Sequence, residues 1–454
     1  MKKPPILIAI STDILLRNFV QSGAFERLQE EYEVHYILSS KVSHRGVFGP
    51  AYRFAGNVQE TLLRLTIRQH LRELTMTRFQ ELSTTWKISR KRVPEDTLRI
   101  YNLLSHPKFF PFVFGAAEAC LGYNDGIEAV IRRVKPVWIL LPNMCNDSLA
   151  VDVIKSARKM GVRTLLLVNG WDNITGKGTI PYLPTLIGVW GEESRKQAIR
   201  IHGFSGDQVR VMGAPHFQHY FSGLVSHRGE FLRMQGIAEE KKVLLFAGCI
   251  LKYDELPLVV ELDNAIESGE LAGLHVLYRP HPWRHYRDGE EEFLNLDLRH
   301  TTVDLQVRDA FRESITKRIT ITPRNFLPDL NYYPSMLNAI DGIVSPLSTI
   351  IIEGAVFGKP SLAFAFPDGR HAYSGDNFIQ FQHFKEMMAL PAVRVCRDRK
   401  FLVEHVRELV SMTRDAELAK RQREGVRQIV YWDDKTYADR LMDVLSEPDG
   451  VLTS

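Results

Sequence analysis

The run from Asp341 to Pro360, DGIVSPLSTIIIEGAVFGKP, carries two adjacent hydroxyls, Ser348 and Thr349, and a carboxylate, Glu353, one helical turn further on. Hydroxyls beside the unpaired N–H groups of a first helical turn suit an anion, most naturally a phosphate. A carboxylate near the same end can accept two hydrogen bonds from a ribose diol. The competing reading makes Ser348 an N-cap and Glu353 a solvated helix carboxylate. Upstream, RPHP at 279–282 holds His281 between two prolines, which stiffen its backbone. A stiff histidine there can hydrogen-bond a phosphate or a ribose, and Arg279 adds positive charge. Gly248 follows the apolar run 242–247 and lets backbone approach a phosphate. The stretch NGWDNITGKG at 169–178 combines three glycines with two amide side chains, Asp172, Thr175 and Lys177. Such a loop can bring an acid or base and backbone donors to a substrate, or serve only as a well-bonded turn.

These groups share one kind of position, because each follows a short apolar run. Strands are expected at 6–10, 33–38, 136–141, 163–168, 185–190, 208–212, 242–247, 275–278, 318–321, 342–344 and 361–366. Helical patterns alternate with them, among others at 14–30, 116–133, 148–160, 192–202, 256–268, 334–340, 350–357 and 436–445. Such alternation builds parallel sheets, whose ligands sit outside the carboxyl ends of the strands. The polar loop 367–376 belongs to the same edge. A loop is expected at 46–55. From 58 to 86 a helical pattern sets Leu63, Ile67, Leu71 and Leu74 among Arg64, Arg68, Arg72 and Arg78, with Lys87, Arg90, Lys91 and Arg92 following. That is either a basic surface for anionic lipid or an anionic acceptor, or a packed helix with solvated arginines. Phe109, Phe110, Phe112 and Phe114 read as packing residues rather than a sugar platform.

A chain of 454 residues exceeds one ordinary core. Its expected parts are 1–220, with a helical insertion near 56–115, then 221–425, and 426–454, whose helix packs back on the first part. Apolar content of 44% and charged content of 25% describe a soluble globular protein, and a net charge of +4 does not call for nucleic acid. Cys120, Cys145, Cys249 and Cys396 are far apart, with no metal-ligand spacing, and read as reduced thiols of a cytosolic protein. Ser11, Thr12 and Asp13 stop the first apolar run too early for a signal peptide. No run reaches the roughly 18 apolar residues of a membrane span. The expected location is cytoplasmic, with peripheral contact at the inner face of the membrane through 58–92 as a variant. No G-x-G-x-x-G follows the first strand, which disfavours nicotinamide and flavin chemistry.

Taken in order, RPHP at 279–282, SPLSTIIIE at 345–353 and GKP at 358–360 resemble the His-Pro motif and nucleotide-binding turn of GT-B glycosyltransferases. The subgroup it looks like makes bacterial surface carbohydrates, including transferases of CMP-activated acidic sugars and CDP-glycerol glycerophosphotransferases. WDNITGKG at 171–178 and VWGE at 189–192 are similar to segments of their relatives. The resemblance covers about 164–360. It implies an α/β chain of two Rossmann-like domains facing each other across a cleft, acting on a nucleotide-activated sugar and a carbohydrate or lipid-linked acceptor. It also implies that His281, Ser348, Thr349 and Glu353 hold the nucleotide's phosphate and ribose, with no metal and no cofactor besides the donor. An inverting transfer needs a base, for which Asp172 stands first and Asp13 second. A retaining one would use a carboxylate to stabilise positive charge on the sugar. The nearest rival is a UDP-sugar 2-epimerase, whose turn usually reads Asp-Ser-Gly-Gly where this chain has Pro-Leu-Ser-Thr. A non-catalytic nucleotide-sugar or polysaccharide-binding protein is the other.

Overall fold

The computed structural model describes residues 2–39, 42–43, 46–54, 62–78, 94–106, 108–145, 147–177, 180, 182–221, 225–250, 253–283, 290–323, 325–371 and 375–448. The chain forms two compact units. Unit 1 comprises Met1–Gln218, Phe381–His383 and Gln428–Ser454; unit 2 comprises His219–Gln380 and Phe384–Arg427.

Unit 1 is built on seven strands: β1 (Pro5–Ile10), β2 (Glu33–Ser39), β3 (Ala51–Phe54), β4 (Trp138–Asn143), β5 (Arg163–Val168), β6 (Leu186–Val189) and β7 (Val209–Val211). They lie in the order β3-β2-β1-β4-β5-β6-β7, and every pair is parallel. The sequences PILIAI and WILLPN are apolar without alternation because both faces are covered. Side chains still alternate. Ile6, Ile8 and Ile10 join one core with Phe19, Phe25 and, from the C-terminal helix Tyr437–Leu445, Tyr437 and Leu441. Leu7, Ala9 and Ile139 join the other, with Ile127, Ile131 and Val153. Trp138 Nε1 donates to the Leu445 carbonyl at 3.3 Å, and Arg27 pairs with Asp439.

Unit 2 repeats the plan with β8 (Lys242–Ala247), β9 (Leu274–Arg279), β10 (Thr301–Val303), β11 (Gly342–Pro346), β12 (Ser361–Phe364) and β13 (Val393–Cys396), ordered β10-β9-β8-β11-β12-β13, again all parallel. In each sheet the strand order reverses beside the unit's first strand. That places a switch point between β1 and β4 and another between β8 and β11.

Several expected elements differ. The strand expected at 318–321 is absent: Arg318 ends the Leu305–Lys317 helix in a left-handed conformation (φ 52°). The edge position is taken by three-residue β10, too short and too polar to register as a run. The helix expected over 14–30 is broken into Asp13–Leu15, a wide turn at Leu16–Gln21, and Leu28–Glu31, with Gly23 at φ 84° between. The 116–133 helix is two, Phe110–Leu121 and Asp125–Val134, parted at Gly122 (φ 60°). The loop at 46–55 contains β3. The basic helix runs Leu62–Arg78, with Leu71 and Leu74 buried and Arg68 paired to Asp152. Lys87, Arg90, Lys91 and Arg92 lie outside the described residues. Of the four phenylalanines, Phe110 packs near Leu74, Met76 and Tyr101, whereas Phe109 and Phe112 are 52% and 79% exposed. Among the described residues no helix is long and apolar enough to cross a membrane.

Gly191 leads into the Glu192–His202 helix where the chain's last segment crosses it. A Cβ there would lie 2.5 Å from the carbonyl oxygens of Gln428 and Ile429. Backbone cannot yield as a side-chain tip does, so Gly191→Ala should lower stability by about 1–3 kcal/mol. Gly115, mid-helix with nothing within 4 Å of its Cβ position, is the control. Gly115→Ala should raise stability by about 0.5–1 kcal/mol. Urea unfolding of the two variants checks both signs.

Candidate nucleotide site in unit 2

The carboxyl edge of the second sheet gathers the chain segments that end its strands. Gly248 follows β8, Pro280–Trp283 follow β9, Leu347–Thr349 follow β11 and Ala365–Asp368 follow β12. Gly248 and the Ser348 turn flank the switch point, and His281 stands one strand away.

His281 is partly buried. Its Nδ1 accepts the Trp283 backbone N–H at 3.2 Å, which puts the proton of the neutral ring on Nε2 and makes that nitrogen a donor. Trp283 holds this turn in place through its ring against His281 (5.6 Å) and its Nε1–H on the Phe326 carbonyl at 2.9 Å. Ser348 Oγ lies 3.0 Å from Oγ of Ser345, which is fully buried. Thr349 precedes the helix Ile350–Val356 and makes no side-chain cap to it. That helix has only seven residues, so hydroxyls and side chains matter more here than its dipole. Glu353 accepts a hydrogen bond from the Tyr220 hydroxyl, whose ring packs on Phe357.

Arg279 and Gly248 are held differently. Arg279 is 3% exposed, bonds Asp304 at 2.5 Å and lies over the Tyr332 and Tyr333 rings. Burial works against its charge, but Asp304 and the two tyrosines outweigh that and hold it firmly cationic. Its guanidinium is thereby committed to the interior. The Gly248 N–H donates to the Arg279 carbonyl at 2.9 Å, and a Cβ at Gly248 would meet the Glu255 carboxylate at 2.5 Å. Glu255 itself is buried and accepts from the Tyr278 hydroxyl at 3.0 Å.

In unit 1, Asp172 precedes a single helical turn, Asn173–Gly176, and its side chain is 30% exposed. It accepts from Asn173 Nδ2 at 3.0 Å and lies 3.7 Å from Lys177 Nζ. Beside it Thr175 bonds His383 Nδ1 at 2.9 Å, and the His383 ring meets Trp171 edge-on. Burial pushes His383 down to about 4, against the pull of Asp172 and with Lys177 adding to it, so the ring is neutral at pH 7. Asp13 accepts the Ser43 N–H at 2.8 Å. It follows β1 and Asp172 follows β5, strands that lie two spacings, about 10 Å, apart in the sheet.

Within the 367–376 loop the organising residue is Asp368. Its side chain is 3% exposed and accepts from the N–H groups of Arg370 (3.0 Å), His371 (2.9 Å) and Asp254 (2.8 Å) and from His371 Nδ1 (2.5 Å). The Pro-Asp-Gly signature of an aspartate turn was the available signal. His383 carried none, because its partner Thr175 is far away in sequence. Among the described residues no three His, Cys, Asp or Glu side chains gather as a metal site.

Neither a protein-family model nor a curated protein sequence matches the chain. Solved structures match over nearly its whole length. A putative UDP-N-acetylglucosamine 2-epimerase from Listeria monocytogenes is similar at a TM-score of 0.51 and 10% identity, covering 98% of this chain and 96% of that one. A UDP-GlcNAc 2-epimerase from Methanocaldococcus jannaschii gives 0.50 and 12%, covering 97% and 99%. The glycotransferase of kitacinnamycin gives 0.51 and 12%, covering 99% and 100%. At these identities the likeness is one of fold. The chain has two Rossmann-like units of GT-B type, as the resemblance implied.

Burial raises the Asp368 carboxyl, but the hydrogen bonds from His371, Asp254 and Arg370 outweigh it and bring it from 3.8 to about 2. A carboxylate depressed in the folded state stabilises above its unfolded value, and that contribution is lost as pH falls through the folded value. Asp368→Asn should therefore be less stable than the parent above about pH 4, with the gap closing as pH falls toward 2. Urea midpoints across that range check it.

Proposed function

We propose that the chain is a glycosyltransferase that moves a sugar from a nucleotide-activated donor to a cell-surface carbohydrate or lipid-linked acceptor, without a metal ion. The observation that supports this reading is that Ser348 and Thr349 follow β11 at the switch point of unit 2, with Glu353 in the helix behind them and His281 after β9 on the same carboxyl edge. Glu353 exchanges the Tyr220 hydroxyl for the donor's ribose diol. The His281 Nε2–H and the hydroxyls of Ser348 and Thr349 donate to phosphate oxygens, where negative charge grows as the nucleotide leaves. Arg279, bound to Asp304, acts as a positioning residue that fixes the end of β9 and hence His281, and Gly248 makes room for Glu255 beside it. In an inverting transfer Asp172 takes the acceptor hydroxyl's proton as that oxygen bonds the anomeric carbon; the carbon–phosphate-oxygen bond breaks and the nucleotide leaves with the electron pair. Asp13 is the second candidate for this role. The basic stretch 58–92 would face an anionic carrier of the acceptor.

Support comes from the full-length likeness of fold to proteins named as a glycotransferase and as UDP-GlcNAc 2-epimerases. The second name sustains the rival reading. Donor consumed without any acceptor would favour an epimerase, and binding without turnover a non-catalytic protein.

Melting curves with CMP, CDP, UDP, GDP, TDP and ADP test the site. A nucleotide at about a hundred times its dissociation constant should add roughly 2.7 kcal/mol to the parent. Glu353→Ala should lose most of that shift, and a variant that keeps it would remove Glu353 from the site. Asp172→Asn should abolish turnover while donor affinity stays within about twofold, because the base acts on the acceptor. Unchanged turnover would pass the role to Asp13. Chelator should leave turnover as it is.

A further inference from the structure

The Phe110–Leu121 helix has its polarity turned inside out. Its one charged residue, Glu118, is 5% exposed and faces inward, bonded to Lys155 at 3.1 Å and to the Tyr182 hydroxyl at 3.0 Å. The outward positions are Phe112, Gly115, Ala116, Ala119 and Cys120, spaced as one helical stripe and all exposed. Tyr123 continues the stripe at 44% exposure. Next to it, Phe109 is 52% exposed, and the Glu95–Leu104 helix adds Ile100 at 55% and Leu103 at 62%. The two helix ends adjoin through successive turns, His106 N–H to the Leu103 carbonyl at 3.2 Å and Phe109 N–H to the His106 carbonyl at 2.9 Å. A helix bathed in water shows the opposite arrangement, and an apolar patch of this kind marks an interaction surface.

We propose that this face seats unit 1 on an anionic lipid bilayer. Charge favours that occupant over a second protein. Residues 56–121 hold ten Lys or Arg against six Asp or Glu, an excess equal to the net +4 of the whole chain, so the remainder is neutral. Lys108 is exposed within the apolar stretch itself, and Arg99 beside it is exposed and pairs with Glu95 and Asp96 of its own helix. Apolar side chains and cations concentrated in one segment are what an anionic bilayer recognises. A protein interface instead sets polar partners around its apolar centre, and the outward stripe offers only the Cys120 thiol and the Tyr123 hydroxyl. The helices lie on the surface rather than crossing, since neither reaches the length of a span.

The test needs no turnover, so it stands apart from the transferase reading. Cys120 is exposed and the other three cysteines are buried, so a polarity-sensitive fluorophore can be placed on this face of the full chain. Vesicles of phosphatidylglycerol and phosphatidylcholine should sediment the protein and shift the label's emission to the blue; phosphatidylcholine alone should do so far less, and about 1 M salt should weaken the effect. Phe109→Ser with Phe112→Ser should lower partition by about tenfold or more while the melting temperature holds. Should the double variant fold poorly, Phe112→Ser alone and the label on the parent carry the same decision. No sedimentation with any vesicle overturns the proposal, as does binding that the serine variants retain. A concentration-dependent dimer in light scattering that the same variants dissolve overturns it in favour of a second copy. Vesicle binding with no nucleotide response keeps this inference and sinks the transferase reading; the reverse result does the opposite.

Discussion

A parallel sheet covered on both faces has one place left for chemistry, and that constraint orders everything here. Ile6 to Ile10 and Leu244 to Phe246 are closed off above and below by apolar side chains, so no polar group on those strands can reach a solute. Within each sheet every strand runs the same way, which sends the connecting turns at one edge out beyond the carboxyl ends. The residues able to bind or react are therefore those in the first few positions after a strand. His281, Ser348 and Asp172 are such residues.

Buried anions give these turns their shape. Asp304 fixes the end of β9 through Arg279 and also caps the Leu305–Lys317 helix by accepting the Val307 N–H. Glu255 fills the space left beside Gly248, and Asp368 ties the loop after β12 to Asp254. Each carboxylate is surrounded by donors from the protein itself, which offsets its burial. A turn held this way does not need a ligand to take its form, and preorganised groups lose little freedom on binding.

The sequence made the scaffold legible because β-α alternation is a local signal: apolar runs of three to six residues ended by a turn marked all but three of the strands among the described residues. Those three, Ala51–Phe54, Thr301–Val303 and Val393–Cys396, are short and polar or lie at the rim of a sheet, where packing with a neighbour and not composition makes the strand. At the site, the positions of Ser348 and His281 could be read because they follow strong strands. The commitments of Arg279 and Gly248 could not, since Asp304 and Glu255 are defined as partners only by the folded chain. For the same reason Phe109 and Phe112 read as core: type alone does not tell an inward aromatic from an outward one.

Unit 1 is discontinuous, and its last contributor comes at the end of the chain. The helix Tyr437–Leu445 packs on the face of the first sheet that presents Ile6, Ile8 and Ile10, and the backbone of Gln428 and Ile429 lies against Gly191. During synthesis from the N-terminus, that face stays incompletely covered while all of unit 2 is made. The second unit thus has its full complement of residues before the first does, and the order of maturation runs against the order of the sequence. For the interval in between, the first-made unit lacks the apolar side chains that Tyr437, Leu441 and Leu445 add to its core.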